Sequence, residues 1–303
     1  MSASVPEQEL HARLLDWYAG AARDLPWRGG ASPWGVFVSE VMLQQTPVAR
    51  VEPVWHEWMR RWPSPADLAA EPPGEAVRAW GRLGYPRRAL RLHAAATAMR
   101  DEHDGEVPAT EAALLTLPGV GVYTAAAVAA FAFGERTTVV DTNIRRVLAR
   151  VSSAQQYPAP ALTRAEYELA AALVPEDHED AATWNVAVME LGALVCTART
   201  PRCGSCPIAA LCAWRLAGHP AYDGPPRRGQ SWHGTDRQAR GALLAVLRES
   251  DAPVGRAALA AAVPDQARRE RCLDGLVADG LVEPLARGRF RLPGSTTSAR
   301  YAG

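Results

Sequence analysis

A chain of 303 residues with 48% hydrophobic and 22% charged side chains has room for two cores and the composition of an ordinary globular protein. Its 33 basic and 33 acidic residues cancel, which excludes a global basic field as the means of holding a polyanion; such a contact has to come from local patches and backbone amides. No apolar run reaches the length of a transmembrane helix, and Met1–Glu7 lack the basic start and apolar core of a signal peptide, so a cytoplasmic protein is expected.

Every basic residue other than histidine is Arg; the chain contains no Lys. No lysine amine is therefore available as a Schiff-base nucleophile.

Amphipathic helical periods dominate the chain up to about residue 217. One predicted helix spans Glu111–Leu117, and the next begins near Tyr123 and runs through Phe131. Between them stands Leu117-Pro118-Gly119-Val120-Gly121. Pro ends the first helix, and the two glycines permit a tight turn and close backbone approach. The following helix then offers its free N–H groups to a phosphate, a contact that reads no sequence. Taken alone, this segment fits a plain helix–helix turn equally well. Thr137-Thr138-Val139-Val140 is a short strand-like run.

Cys196, Cys203, Cys206 and Cys212 crowd one short segment, while Cys272 lies far away. Four clustered thiols in a cytoplasmic chain point to metal, not to disulfides. Zinc and an iron–sulfur cluster both fit four thiolates; a single C-x₂-C pair, Cys203 and Cys206, favours a [4Fe–4S] cluster over a ribbon built on two such knuckles.

Gly218–Pro226, rich in Pro and Gly, reads as a linker. Beyond it Thr235 is placed to cap a helix running to about Glu249, with Leu243, Leu244 and Leu247 on one face. Predicted helices at Arg256–Ala262 and Gln266–Ala278 follow, and then Leu281-Val282-Glu283 and Arg289–Leu292 flank a turn at Arg287-Gly288. Three helices and a hairpin suggest a winged helix, with Arg268, Arg269 and Arg271 as its candidate DNA-facing charges.

The cysteine spacing, the Leu117–Gly121 hairpin and an Asp shortly after it, in Val140-Asp141-Thr142-Asn143, occur together in the order seen in the helix-hairpin-helix glycosylase superfamily that includes endonuclease III. Leu25-Pro26-Trp27-Arg28, the run from Ser39 to Thr46, and Trp80-Gly81-Arg82-Leu83-Gly84-Tyr85 sharpen the match: the chain resembles the MutY-type adenine DNA glycosylases over roughly residues 10–215. The resemblance implies a mainly α, two-lobed fold. A six-helix barrel over residues 31–141 carries the hairpin. A cluster lobe combines residues 1–30 and 142–215, a linker covers 216–234, and a small winged-helix-like domain covers 235–303. DNA would lie across the cleft between the lobes, with adenine flipped into it.

The same resemblance assigns roles. Glu40 is expected to be the acid that protonates adenine, and Asp141 the carboxylate that stabilises the sugar cation. Tyr123 and Asn143 stand beside the sugar. Gln45 and Tyr85 enter the base stack, and Leu25, Trp27, Arg28 and Val48 wall the adenine pocket. The amides of Gly119, Val120 and Gly121 hold a phosphate, and the four clustered cysteines hold a [4Fe–4S] cluster. The chemistry supports this division independently. Breaking an N-glycosidic bond builds positive charge on the sugar and negative charge on the base, and two carboxyl groups oppose both. An acid that stays protonated needs apolar surroundings, and Val41, Met42 and Leu43 follow Glu40.

Three departures from the family pattern matter. Pro86 follows Tyr85 where relatives usually carry a second Tyr. Val186 stands where relatives often carry a polar group on adenine, which shifts base discrimination toward Arg28. The tail shows no pattern of a β-rich Nudix-like domain, so the reading of the opposite base is open. The expected partner is double-stranded DNA bearing A·G or A·8-oxoguanine, bound by a monomer, with the C-terminal domain as a candidate surface for a repair protein. Competing readings are a thymine glycosylase acting on T·G and a non-catalytic iron–sulfur DNA-binding protein; Glu40 argues against the first, and the pair Glu40 and Asp141 against the second.

Overall fold

The computed structural model describes residues 6–224 and 234–295. The expected linker over 216–234 lies partly outside them, at 225–233, as do residues 296–303 of the expected winged-helix-like domain.

The helices run in order α1 (Glu7–Ala21), α2 (Pro33–Leu43), α3 (Val48–Arg61), α4 (Pro65–Ala69), α5 (Pro73–Trp80) and α6 (Arg87–Glu102). Next come α7 (Glu111–Leu114), α8 (Val122–Phe133), α9 (Thr142–Ser153), α10 (Arg164–Ala172) and α11 (His178–Leu194), then two 3₁₀ turns at Cys203–Ser205 and Ala209–Leu211, and α12 (Ala213–Leu216). The tail holds α13 (Asp236–Arg248), β1 (Val254–Gly255), α14 (Arg256–Ala262), α15 (Gln266–Ala278), β2 (Glu283–Leu285) and β3 (Arg289–Arg291).

Local chemistry sets many helix starts. The Ser64 and Thr163 hydroxyls form capping boxes with Asp67 and Glu166. Asp141, Asp177, Thr235 and Asp265 accept a backbone N–H of the first turn of α9, α11, α13 and α15. Among the described residues, the strand-like run at Thr137–Val140 pairs with no strand. Its polar groups go elsewhere: the Thr137 hydroxyl donates to the Ala126 carbonyl at 2.7 Å, and the Val139 N–H donates to the Asn185 side chain at 3.3 Å.

The chain divides into two compact units. The first comprises Met1–Val36, Ala109–Thr116 and Gly121–Pro226. Its core gathers Leu10 and Leu14 of α1, Ala126 and Ala127 of α8, Ile144 and Val147 of α9, and Trp184 and Leu191 of α11. The approach of α11 to α9 is close: a Cβ at Gly192 would stand 2.6 Å from the Asn143 Cβ, so only glycine fits there.

The second unit comprises Phe37–Pro108, Leu117–Val120 and Arg227–Gly303. Trp58 meets Trp62 and Trp80 edge to face, with centroids 4.9 and 5.8 Å apart. The described tail belongs to this unit. Its three strands form an antiparallel sheet in the order β1-β3-β2, and the sequence helix, strand, two helices, two strands is that of a winged helix. Reciprocal main-chain grips seat the tail on α5. Arg248 donates to the Val77 carbonyl at 2.9 Å, and Arg78 donates to the carbonyls of Arg248 and of Ser250, the latter at 3.1 Å. The Gly74 N–H donates to the Pro293 carbonyl at 2.8 Å. Burial pulls the Arg248 guanidinium down to about 10.

Of the three arginines expected to face DNA from α15, Arg269 and Arg271 are hydrogen-bonded within the tail, while the Arg268 Nε approaches Asp236 at 3.8 Å and has no hydrogen-bond partner among the described residues. Arg271 forms a two-pronged bond with Asp236 at 2.9 Å, and Arg269 donates to the Val263 carbonyl at 2.8 Å. Among the described residues, no helix is long and apolar enough to cross a membrane.

Candidate active site and cluster loop

The loop after α11 brings all four clustered cysteines to the wall of one partly open pocket, together with Val147, Leu191, Ile208 and Trp214. Among the described residues, no three His, Cys, Asp or Glu side chains converge on a single-ion site; the thiols surround a volume instead. Burial pushes the Cys206 thiol up to about 11, with the neighbouring thiols acting in the same direction, so a free thiol here is protonated and a metal must displace the proton. Arg150 is fully buried beside the loop. It donates to the Cys196 sulfur at 3.2 Å, to the Thr197 and Ala198 carbonyls at 2.8 and 3.1 Å, and to Gln156 at 2.9 Å, and it lies 4.8 Å from the Trp214 ring centre. Four soft donors around a volume, with a buried cation offsetting their charge, fit an iron–sulfur cluster.

Asp141 ends the extended run and caps α9. One carboxylate oxygen accepts the Ile144 N–H at 2.6 Å, and the other accepts the Asn143 side-chain N–H at 2.8 Å. Burial pushes the carboxyl above its ordinary range, against the pull of those two bonds. Asn143 in turn accepts from Arg146 at 2.8 Å, and Arg146 donates to the carbonyls of Gly192 and Cys196 at 2.7 and 2.8 Å. Tyr123, half-buried in the first turn of α8, packs against the core of this unit.

The segment after α1 turns tightly, with the Arg28 N–H donating to the Leu25 carbonyl at 2.8 Å, and buries Leu25 and Trp27. Arg28 meets the fully buried Glu190 at 3.0 Å, and Arg23 grips both oxygens of that carboxylate at 2.7 Å. Burial pushes Glu190 up, but the arginine bonds outweigh it and hold the carboxyl at about 2. The second terminal nitrogen of Arg28 is buried with no partner among the described residues.

In the second unit, Glu40 is buried in α2 between Ser39, Val41 and Met42, all buried. Gln45 and Tyr85 are exposed and hold positive φ of 56° and 47°, unusual for residues with a side chain. Arg88, buried, ties the two loops together: it donates to the carbonyls of Val41, Met42 and Gln44 at 2.9, 3.1 and 2.6 Å, and to Thr46 and the Gly84 carbonyl at 3.0 and 3.1 Å. Val48 opens α3, half-buried. The hairpin turn is exposed at Pro118 and Gly119. Gly119 has φ 77°, and a Cβ there would stand 2.7 Å from Arg91. Gly121, in extended backbone, stands at the N-terminal cap of α8 without a side-chain bond.

The expected site residues thus divide between the units. Leu25, Trp27, Arg28, Gly121, Tyr123, Asp141, Asn143 and the cysteines belong to the first; Glu40, Gln45, Val48, Tyr85, Gly119 and Val120 belong to the second. Sequence reasoning missed Glu190, Arg88, Arg146 and Arg150. Glu190 left a faint signal: it is a lone acid in an apolar stretch of α11, one turn beyond Val186, where the missing polar group was expected.

Residues 38–172 match the HhH-GPD superfamily of base excision DNA repair proteins, and residues 196–212 match the iron-sulfur binding domain of endonuclease III. The adenine DNA glycosylase of Mycobacterium tuberculosis is 53% identical over 97% of this chain and 96% of its own length. The chain belongs to the adenine DNA glycosylase family. The enzyme of Mycolicibacterium smegmatis is 54% identical over 95% of this chain and 98% of its own length. A solved thermostable thymine-DNA glycosylase superposes with a TM-score of 0.62 at 28% identity, covering 70% of this chain and 97% of that one. With the second match falling on the four cysteines, the cluster is of the [4Fe–4S] type.

Proposed function

We propose that this chain hydrolyses the N-glycosidic bond of an adenine mispaired with guanine or 8-oxoguanine in duplex DNA and leaves an intact strand with an abasic site. The observation that carries the reading is the half-buried Asp141 carboxylate, fixed at the head of α9 by the Ile144 amide and the Asn143 side chain, in a chain that shares just over half its residues with adenine DNA glycosylases. Such a carboxylate stabilises a sugar cation and needs no reorganisation as the charge develops.

The steps balance with residues of this chain. Glu40 gives its proton to a ring nitrogen of adenine, the C1′–N9 bond breaks with its electron pair leaving on the base, and the sugar cation forms beside Asp141. Tyr123 and Asn143 line the sugar. Water adds at C1′ and loses a proton, because no lysine exists to attack instead. Leu25, Trp27, Arg28 and Val48 wall the adenine pocket. The buried Arg28 nitrogen that has no partner among the described residues supplies a donor for an adenine ring nitrogen, and Glu190 fixes the direction of that donor. Gln45 and Tyr85 fill the base stack, and the amides of Gly119, Val120 and Gly121 take a phosphate. The cluster, held by Cys196, Cys203, Cys206 and Cys212, supplies structural support to its loop.

The test is an excision assay on duplexes bearing A·8-oxoguanine, A·G, A·C and T·G, developed with alkali. Loss of adenine opposite 8-oxoguanine and guanine is the expected result. Loss of thymine from T·G, with adenine untouched, would establish the thymine glycosylase reading instead.

A further inference from the structure

Arg150, in the last turn of α9, is only 1% exposed, yet among the described residues no carboxylate pairs with it. Its hydrogen bonds run to the carbonyls of Gln156, Thr197 and Ala198 at 2.9, 2.8 and 3.1 Å, to the Cys196 carbonyl at 3.4 Å, and to the Cys196 sulfur at 3.2 Å. The Trp214 and Tyr157 ring centres lie 4.8 and 5.8 Å from the guanidinium carbon. A guanidinium keeps its charge in a protein, and a charge buried without a counter-ion is strongly destabilising. Carbonyl dipoles and aromatic faces offset part of that cost. The full negative charge comes from the thiolates of the bound cluster, since Arg150 lines the same pocket as Cys196, Cys203, Cys206 and Cys212.

The four sulfurs are not held alike. Cys206 is met by the backbone N–H of Ile208, and Cys212 by those of Trp214 and Arg215. Among the described residues, Cys196 is the one whose sulfur takes a hydrogen bond from a charged side chain. We propose that Arg150 sets the reduction potential of the [4Fe–4S] cluster, its buried charge and its N–H bond to the Cys196 sulfur guarding the cluster against one-electron oxidation. Net charge, hydrogen bonds to the sulfurs and solvent exposure are what fix such a potential, and Arg150 supplies the first two from a site closed to water. Four thiolates leave the cluster net negative, and losing an electron makes it less so. A cation beside it therefore favours the form that keeps the electron, which raises the potential. Arg215 gives the contrast. It lines the same pocket but is exposed, with its guanidinium on the Ala209 carbonyl at 3.3 Å, so water and salt screen its charge.

Protein-film voltammetry of the full-length, cluster-loaded protein reads the potential at which the cluster gives one electron to the electrode. In Arg150→Gln, which keeps an N–H donor and loses the charge, the ratio of oxidised to resting cluster at the parent midpoint should rise about tenfold, a fall of about 59 mV for a one-electron couple. Arg150→Lys, which keeps the charge, should restore most of the parent potential, and Arg215→Gln should leave it unchanged. A merely structural role for Arg150 would lower the iron content and leave the potential of the loaded fraction where it was. An unchanged potential in Arg150→Gln, or a fall of equal size in Arg150→Lys or Arg215→Gln, overturns the proposal. So does an Arg150→Gln protein that takes up no iron and sulfide on anaerobic reconstitution, because Arg150 is then a folding element of the loop.

Discussion

Arg28 and Glu190 meet at 3.0 Å although they stand 162 residues apart, and that contact leaves one buried Arg28 nitrogen aimed at no group among the described residues. Glu190 is held at about 2 by Arg23 and Arg28, below the ordinary carboxylate value of ~4.3. A depressed value in the folded state means that the ion triad stabilises the fold above the unfolded value and loses that contribution as pH falls from ~4.3 to about 2. Glu190→Gln leaves two partly buried guanidinium groups without their anion and should cost about 3 kcal/mol at pH 7. Urea denaturation at pH 7 and at pH 3 should show the difference from the parent shrinking at the lower pH. A constant difference would place the effect in packing.

Asp141 has the opposite sign. Its carboxyl lies above the ordinary value of ~3.8 because it is buried, so the folded state favours the protonated form and ionisation at neutral pH costs stability. Asp141→Asn keeps the helix cap and removes that cost. The variant should melt at or above the parent temperature at pH 7 while losing nearly all excision. In the parent, the acid limb of single-turnover excision should lie above the ordinary carboxylate range, because burial raises the Asp141 carboxyl. A less stable Asn variant would show that the ionised form is the favoured one.

Arg88 should behave as a clamp on the two loops that carry Gln45 and Tyr85. Arg88→Met strands the carbonyls of Gln44 and Gly84 and should cost about 3 kcal/mol, with mismatch binding weakened further than the lost stability explains. Thermal melting and duplex binding, measured on the same preparation, separate the two effects. Equal binding by the folded fraction would leave Arg88 as a packing residue alone.

How far these features could be read beforehand depends on where their partners stand in the chain. The cysteine spacing and the glycines of the hairpin are local patterns, complete within a few residues; the cap that Asp141 makes on α9 is equally local but was not among the expectations. The helices at Arg256–Ala262 and Gln266–Ala278 match their predicted bounds, because Gly255 and Asp265 mark their starts. Arg88 and Glu190 were hidden because a buried charge is defined by partners distant in sequence. The docking of the tail on α5 rests on backbone carbonyls and on Gly74, neither of which leaves a pattern. The strand-like run at Thr137–Val140 misled for the same reason: its hydrogen bonds go to the Asn185 side chain and to α8.

The cluster loop makes a spectroscopic prediction. Anaerobically purified protein should be brown and carry iron and acid-labile sulfide, and Cys203→Ser should weaken duplex binding through disorder of the loop. Colourless protein with one zinc per chain would contradict the assignment.

Glu40→Gln keeps the size of the side chain and removes the proton it can deliver. Excision of adenine should fall by ~10²–10⁴-fold with mismatch binding retained. A rate within a few-fold of the parent would remove Glu40 from the reaction.

The central claim is that this chain removes adenine and stops at the abasic site. The direct measurement is single-turnover reaction of the purified protein with an end-labelled A·8-oxoguanine duplex, split into three portions: untreated, treated with alkali, and treated with borohydride during the reaction. With water as the final nucleophile and no lysine in the chain, the strand should stay intact when untreated, break at the adenine position after alkali, and form no covalent protein–DNA adduct. Nicking without alkali, together with an adduct trapped by borohydride, would contradict the account.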